Sequence, residues 1–199
     1  MTMPGILTSP DLDILFRDAR TLRKWTDRPV EDDTLRAVYD LARLGPTSSN
    51  LQPGRFVFVK SKDAKERLRS CLAPGNVPHT MAAPVTAIAA WDQKFHEAAG
   101  ALLGRPEIPG WFAHHTEQAF FVEAFRNATL SAAYLMVAAR ALGLDCGPMS
   151  GFDQAKTDAA FFPDGRWHAN FLINLGYADR AGIPPRAPRF SFDQACRIE

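Results

Sequence analysis

Almost every feature that would mark a chain as secreted, membrane-embedded or nucleic-acid-binding is missing here. Cysteine is scarce: Cys71, Cys146 and Cys196 are odd in number, widely spaced and free of any C-x-x-C pair. That argues for reduced thiols in a cytoplasmic compartment and against a disulfide framework. The amino terminus lacks a basic-then-apolar signal pattern. The longest strongly apolar stretch, Ala132 to Ala139, is broken by Arg140 and is too short to span a bilayer. Net charge is +1, so no strong field for nucleic acid or an anionic membrane is expected. Any anion site must therefore come from a local cluster of arginines. Neither G-x-G-x-x-G nor G-x-x-x-x-G-K-[ST] occurs, which removes the primary motif of a Rossmann or P-loop protein. His79, His96, His114, His115 and His168 show no zinc-ligand spacing, so no metal site is expected. Gly147-Pro-Met-Ser-Gly151 carries its serine one place late for a G-x-S-x-G nucleophile elbow.

What is present is ordinary globular material: 199 residues, 46% hydrophobic and 23% charged, enough for one domain (1–199) with a sizeable core. Residues 1–10 read as loose. Asp11 or Asp13 could cap a short helix carrying Leu12, Leu15 and Phe16. A second helix should start near Glu31–Asp33 and bury Leu35, Val38, Tyr39 and Ala42 before stopping at Gly45-Pro46. Phe56–Val59 reads as a buried strand, Lys62 to about Leu72 as a charged helix, and Val85–Trp91 as a central strand apolar on both faces. The Gly- and Pro-rich stretch 92–115 has no clean period and suggests an insertion or lid. A long helix should run from about Thr116 to Leu142. From Ser131 onward it is apolar nearly all round, so it needs cover on every side, from core or from another subunit. His168–Leu175 is a further strand. Strands separated by helices, without strict alternation, imply a three-layer α+β domain.

The most informative segment is Gly45-Pro-Thr-Ser-Ser-Asn-Leu-Gln-Pro53, a stiff polar turn between an amphipathic helix and an apolar strand. Its hydroxyls and amides could grip a flat, polar-edged ligand, or simply cap a surface turn. Three other segments accompany it: Ala19-Arg-Thr-Leu-Arg-Lys-Trp25, Gly143-Leu-Asp-Cys-Gly-Pro-Met-Ser-Gly-Phe152 and Pro185-Arg-Ala-Pro-Arg189. In order and spacing these four resemble the FMN-dependent nitroreductase family. Ala83-Pro-Val-Thr-Ala-Ile88, Phe125-Arg-Asn127 and the Arg140-Ala-Leu-Gly-Leu-Asp145 helix end are most similar to its RutE-type branch, assigned as malonic semialdehyde reductase in pyrimidine catabolism. The resemblance covers roughly Leu15 to Cys196.

That resemblance implies a central mixed β-sheet flanked by helices, an intertwined homodimer, bound FMN, and NADH or NADPH as electron donor. It implies a small-molecule substrate, malonic semialdehyde reduced to 3-hydroxypropionate, through alternating hydride transfers at flavin N5 in one shared cleft. The rivals are a broad nitro- or quinone reductase and, in another class, a protein that binds or senses FMN without turnover. By the same resemblance Arg20, Thr21 and Arg23, with Arg186 or Arg189, would hold the phosphate or the pyrimidine edge. Forked guanidinium donors suit phosphate. Thr47, Ser48, Asn50 and Gln52 would face the flavin from the loop. The Pro148, Met149, Ser150 and Gly151 main chain would lie beside N5 and O4. No catalytic side chain is assigned, since hydride chemistry belongs to the cofactor. The sequence departs from much of the family at Ser150, where glutamate is common, and at Ala19, where many members carry arginine; Thr21 stands where serine is usual. Trp111 and Phe112 could line a substrate mouth or merely pin their loop.

Overall fold

The computed structural model describes residues 5–181, 183 and 185–199. The loose amino terminus expected at 1–10 therefore falls in part, at 1–4, outside the described residues. Four strands form one sheet in the order β1-β2-β4-β3: Gly54–Val59 (β1), Val85–Asp92 (β2), Asp145–Met149 (β3) and Trp167–Gly176 (β4). All three pairings are antiparallel. The mixed character expected of the sheet comes from the amino-terminal segment, where Thr21 bridges Cys146 of β3 in parallel. Val85–Asp92 is buried along its whole length, as a central strand apolar on both faces should be.

Alternation along β2 and β4 divides the core. Val85, Ala87, Ala89, Ile173 and Leu175 face two helices, Asp32–Ala42 (α2) and Glu117–Ala141 (α6), and pack on Leu35, Val38, Ala132 and Leu135. Ile88, Ala90 and Leu172 face the other way, against Leu68 of Lys62–Arg69 (α3), Cys71 and Phe162. Two short helices, Val77–Ala82 (α4) and Gln154–Phe161 (α7), complete that second layer. Helix, sheet and helix make the three-layer α+β arrangement.

Several local expectations change. The first helix, Ser9–Leu12 (α1), is capped by Thr8, whose hydroxyl donates to Asp11 at 2.5 Å; it continues into a π-helical turn at Asp13–Arg17. Asp11 thus serves as the partner three residues into the helix, not as its cap. Tyr39 is exposed rather than buried on α2. The 92–115 stretch is not irregular throughout: Phe95–Leu103 forms a helix (α5) and Ile108–Phe112 a 3₁₀ turn. Gly104, at φ 61°, ends α5 in the left-handed conformation that glycine adopts freely. Phe95, Ala99 and Ile108 bury themselves with Trp91, Ala124 and Ala128, so this segment owns a small core against the first half of α6. Along α6, Leu130 and Tyr134 stay 44% and 42% exposed, so one chain leaves part of that apolar helix uncovered.

Candidate active site

The segment Ala19–Trp25 runs along the edge of β3. Leu22 N–H donates to the Cys146 carbonyl at 3.1 Å, and Ala19 and Leu22 turn inward. Arg20 Nη1 reaches the carbonyls of Arg17 (2.8 Å) and Ala19 (2.9 Å). Its Nε is buried and has no hydrogen-bond partner among the described residues. Arg186 folds back across the chain and donates from Nη2 to the carbonyls of Phe16 (2.6 Å), Arg17 (3.0 Å) and Ala19 (2.7 Å). These carbonyls end the α1 helical stretch, where a cation is favoured. Arg189 donates only to the nearby carbonyls of Ala187 and Pro188 and is exposed. Arg140 joins from the end of α6, donating to the Leu15 carbonyl at 3.1 Å. Desolvation, then the guanidiniums of Arg20, Arg189 and Arg140, lower the pKa of Arg186; Asp18 alone acts in the opposite sense. Four guanidiniums thus gather near Asp18, and Asp145 of β3 lines the same pocket as Arg20 and Arg140.

At the other end of β3 the strand makes its last pair with β4 at Met149↔Leu172, and the main chain of Ser150–Gly151 continues beyond the ladder. Met149 turns its sulfur away, accepting from the Thr80 hydroxyl at 3.3 Å, while Ser150 is exposed. The Gly151 carbonyl accepts from Ala73 N–H (3.0 Å) and from Asn76 Nδ2 (2.9 Å). A Cβ at Gly151 would stand 2.5 Å from Asn76 Nδ2, so the glycine serves a protein contact and not only a ligand's approach. Asn76 had no signature in the sequence reading. Gly147 is tighter: its Cβ would stand 2.5 Å from the Leu22 carbonyl oxygen, which is backbone and cannot swing aside. Gly147→Ala is expected to prise the Arg20 segment off β3, costing about 1–3 kcal/mol of stability. FMN affinity should fall with it, as thermal melts and flavin titration will register.

The Gly45–Pro53 loop is held in an uncommon shape. Ser49 (φ 47°), Asn50 (φ 57°) and Gln52 (φ 46°) are all left-handed without being glycine. Such residues each cost about 1–2 kcal/mol and persist only where the surroundings impose them. Asn127 Oδ1 accepts Ser48 N–H at 2.7 Å, and Asn127 Nδ2 is itself tied to Glu123. Thr47 Oγ1 accepts Gln52 N–H at 3.1 Å, and Gln52 Nε2 donates to the Asn50 carbonyl at 3.3 Å. Thr47 and Gln52 therefore brace the loop, while Ser48 and Asn50 remain exposed at its tip. Leu51 is buried with Trp91, Phe95 and Ile108, joining the loop to the 95–112 segment. A Cβ at Gly45 would stand 2.5 Å from the Tyr134 ring, so this glycine lets the loop sit on α6.

The exit of the loop is fastened by residues that the sequence reading passed over. Arg55 Nη1 donates to the carbonyls of Gln52 and Gly54, both at 2.8 Å, and its Nη2 to Asp92 Oδ2 at 2.7 Å. Asp92 is fully buried and also takes Arg166 at 2.9 and 3.0 Å and Lys94 N–H at 2.8 Å. Of the two aromatics in the 92–115 segment, Phe112 packs among Phe95, His96, His115 and Phe120. Trp111 is 41% exposed beneath the Arg105 guanidinium.

The thirteen residues expected around one cofactor form two groups within the chain. Arg20, Thr21, Arg23, Pro148–Gly151, Arg186 and Arg189 sit around the β3 edge, with Arg140 of α6 among the guanidiniums. Thr47, Ser48, Asn50 and Gln52 sit on α6 at Asn127. Thirteen helical residues separate Asn127 from Arg140, a rise of about 20 Å.

The model of the nitroreductase family matches residues 16–177. This chain belongs to the nitroreductase family. A Burkholderia lata protein provisionally named as an NADH dehydrogenase/NAD(P)H nitroreductase is 53% identical over 97% of this chain and 98% of its own length. A similarly named protein of Polynucleobacter asymbioticus is 51% identical over 98% of this chain and 100% of its own. A solved structure from Exiguobacterium sibiricum, provisionally named a nitroreductase and crystallised with FMN, shares the fold. Its TM-score is 0.84 and its identity 21%, over 98% of this chain and 100% of that one. For a nitroreductase the residues at the β3 edge fit FMN: the buried, unpartnered Nε of Arg20 lies in a guanidinium cluster, which suits a phosphate dianion.

Proposed function

We propose that this nitroreductase reduces a broad range of nitro and quinone acceptors, as a homodimer in which each flavin draws residues from both copies. Its class is that of an FMN-dependent NAD(P)H oxidoreductase of the nitroreductase family. Bound FMN would supply hydride transfer between NAD(P)H and the acceptor. The observation that carries the reading is the orphaned Arg20 Nε within the guanidinium cluster. In this reading Arg20 and Arg189 hold the phosphate. Arg186, with its Nη2 spent on three backbone carbonyls, clamps the carboxy-terminal tail onto α1. The Ser150–Gly151 N–H groups lie past the end of the strand ladder and favour negative charge on the ring edge.

Two features support the homodimer: the loop tip lies about 20 Å along α6 from the phosphate cluster, and α6 leaves Leu130 and Tyr134 uncovered. A second copy packed on that face would bring Ser48 and Asn50 to the first copy's β3 edge. Trp111, on the segment that shares Leu51's core, would close the acceptor side, and 92–115 would act as a lid.

The acceptor class is supported by the names of relatives about 50% identical, which refer to NAD(P)H nitroreduction. Malonic semialdehyde stands second, supported by the motif likeness alone; no side chain here is matched to its carboxylate. Turnover of a nitroarene, a quinone and malonic semialdehyde by one purified preparation tests the reading. Nitroarene and quinone reduction are expected to dominate, and a preference for the aldehyde would reverse the order. Failure of NAD(P)H to bleach the bound flavin anaerobically would leave an FMN-binding protein without turnover.

A further inference from the structure

Lys65, on α3, is 6% exposed and its ammonium lies beneath the sheet. Its Nζ donates to the Thr80 carbonyl of α4 at 2.9 Å and to Thr86 Oγ1 of β2 at 2.7 Å. Each contact leads to β3. The Thr86 hydroxyl donates to Asn174 Oδ1 at 2.7 Å, and Asn174 of β4 pairs with Gly147. The Thr80 hydroxyl donates to the sulfur of Met149. The two arms therefore reach β3 at 147 and 149, on either side of Pro148 and just before Ser150–Gly151. Thr86, Asn174 and Thr80 are all buried, so no water stands in for a missing member.

We propose that Lys65 is a positioning residue for the flavin-facing strand, its ammonium holding β3 from both sides through Thr80 and Thr86. The inference rests on the FMN reading and adds to it a residue remote from the guanidinium cluster.

Among the described residues no carboxylate pairs with this ammonium. Asp63, Glu66 and Arg69 of the same helix are exposed. From α4 comes His79, whose Nδ1 lies against the Arg23 carbonyl. From α7 comes Asp158, engaged by His168 and Ala169 N–H. Cys71 lies in the same core, β2 and β4 present Thr86 and Asn174, and Asp92 of β2 is engaged by Arg55 and Arg166. Burial pushes the Lys65 ammonium down to about 8. Below that pH the folded and unfolded chains both carry the proton, and the cost of burying it is fully present. Between about 8 and the ordinary value of 10.5 the unfolded chain holds more protons, so stability rises with pH. A methionine would fill the space of the lysine stem without that cost. The lysine thus weakens the fold below pH 8 while supplying charge-assisted hydrogen bonds to the strand.

The test compares wild type, Lys65→Met and Thr86→Val by thermal melting of flavin-free protein and by FMN titration from pH 6 to 10. Lys65→Met is expected to melt at pH 7 at or above the wild-type temperature, and to lack the wild-type rise in stability between pH 8 and 10.5. It should bind FMN about tenfold more weakly. Wild-type FMN affinity should fall as pH rises through about 8; the variant's should not. Wild-type affinity and pH profile in Lys65→Met would overturn the proposal and leave the FMN reading intact. No FMN binding by wild type would overturn both. Should Lys65→Met be destabilised, Thr86→Val, which keeps the lysine and removes only the relay hydroxyl, must show the same loss or the proposal fails.

Discussion

Asp92→Ala is expected to destabilise the protein by about 3–5 kcal/mol, the range for removing one partner of a buried ion pair. For a domain of this size that lowers the melting temperature by roughly 6–20 °C. Asp92 has no exposure, while Arg55 and Arg166 converge on it; without it two guanidiniums lose their shared partner and Lys94 N–H loses an acceptor. Burial works to raise the Asp92 carboxyl, but the Arg166 hydrogen bond, Lys94 N–H and the charges of Arg55 and Arg166 outweigh it and hold the pKa below the usual range. The sign for pH follows. The contribution to stability is fully present above the unfolded carboxylate value near about 3.9 and is lost as pH falls through the lower folded value. Wild type should therefore lose stability more steeply than Asp92→Asn below about pH 4, a comparison of melts across pH 2–7. The functional effect should precede unfolding: without Asp92, Arg55 no longer fixes the Gln52 carbonyl, and the left-handed loop residues can relax. Weaker FMN retention at temperatures where Asp92→Asn is still folded would show this. Unchanged retention would reduce Asp92 to a stability element.

Replacing Arg20 or Arg189 with alanine should cost about 1.5–3 kcal/mol of FMN affinity, roughly tenfold to a hundredfold, the worth of charged hydrogen bonds. Arg189→Ala should differ from Arg186→Ala. Arg186 spends its Nη2 on Phe16, Arg17 and Ala19, so its loss should release the tail and lower thermal stability even without flavin. Arg189, bonded only to its neighbours' carbonyls, should change FMN affinity and leave the flavin-free melt where it was. Arg67→Ala is the control: Arg67 stacks on Phe161 at 4.9 Å, a contact worth about 1 kcal/mol, and should not alter FMN affinity. Full FMN retention through purification in both Arg20→Ala and Arg189→Ala would remove their assigned role.

The helices and strands with strong periodicity could be read from the sequence: α2, α6, β1, β2 and β4 fall where patterning puts them, with ends shifted by a few residues. What escaped was disguised by composition. Strand β3 contains Gly147 and Pro148, residues that strand patterning does not favour; proline is tolerated there because β3 lies at the sheet's edge. Gly100 and the surrounding prolines masked α5, and Val77–Ala82 and Gln154–Phe161 are too short to show a period. The polar loop carrying Ser48 and Asn50 could be located from the sequence, because hydroxyl and amide residues between two prolines mark a stiff turn. Its supports could not. Asn76, Arg55 and Asp92 act through contacts 75 and 37 positions away along the chain, which no local pattern announces. Lys65 did leave a trace: three positions before Leu68 it falls on the buried face of its helix, a charge where a hydrophobe was due.

The parallel bridge between Thr21 and Cys146 also bears on how the chain matures at the ribosome. Its two halves are 125 positions apart, and the Arg186 clamp on Phe16 adds a closure of 170. The segment around Phe16 and Thr21 must therefore wait, unpaired, until positions 146 and 186 have been synthesised. A nascent chain stalled before position 145 would expose its opening segment, with Leu22 and Trp25, to chaperones or proteases. If these segments hold the cofactor, its capture follows their pairing, and truncation before position 145 should yield colourless protein that is protease-sensitive around Leu22 and Trp25.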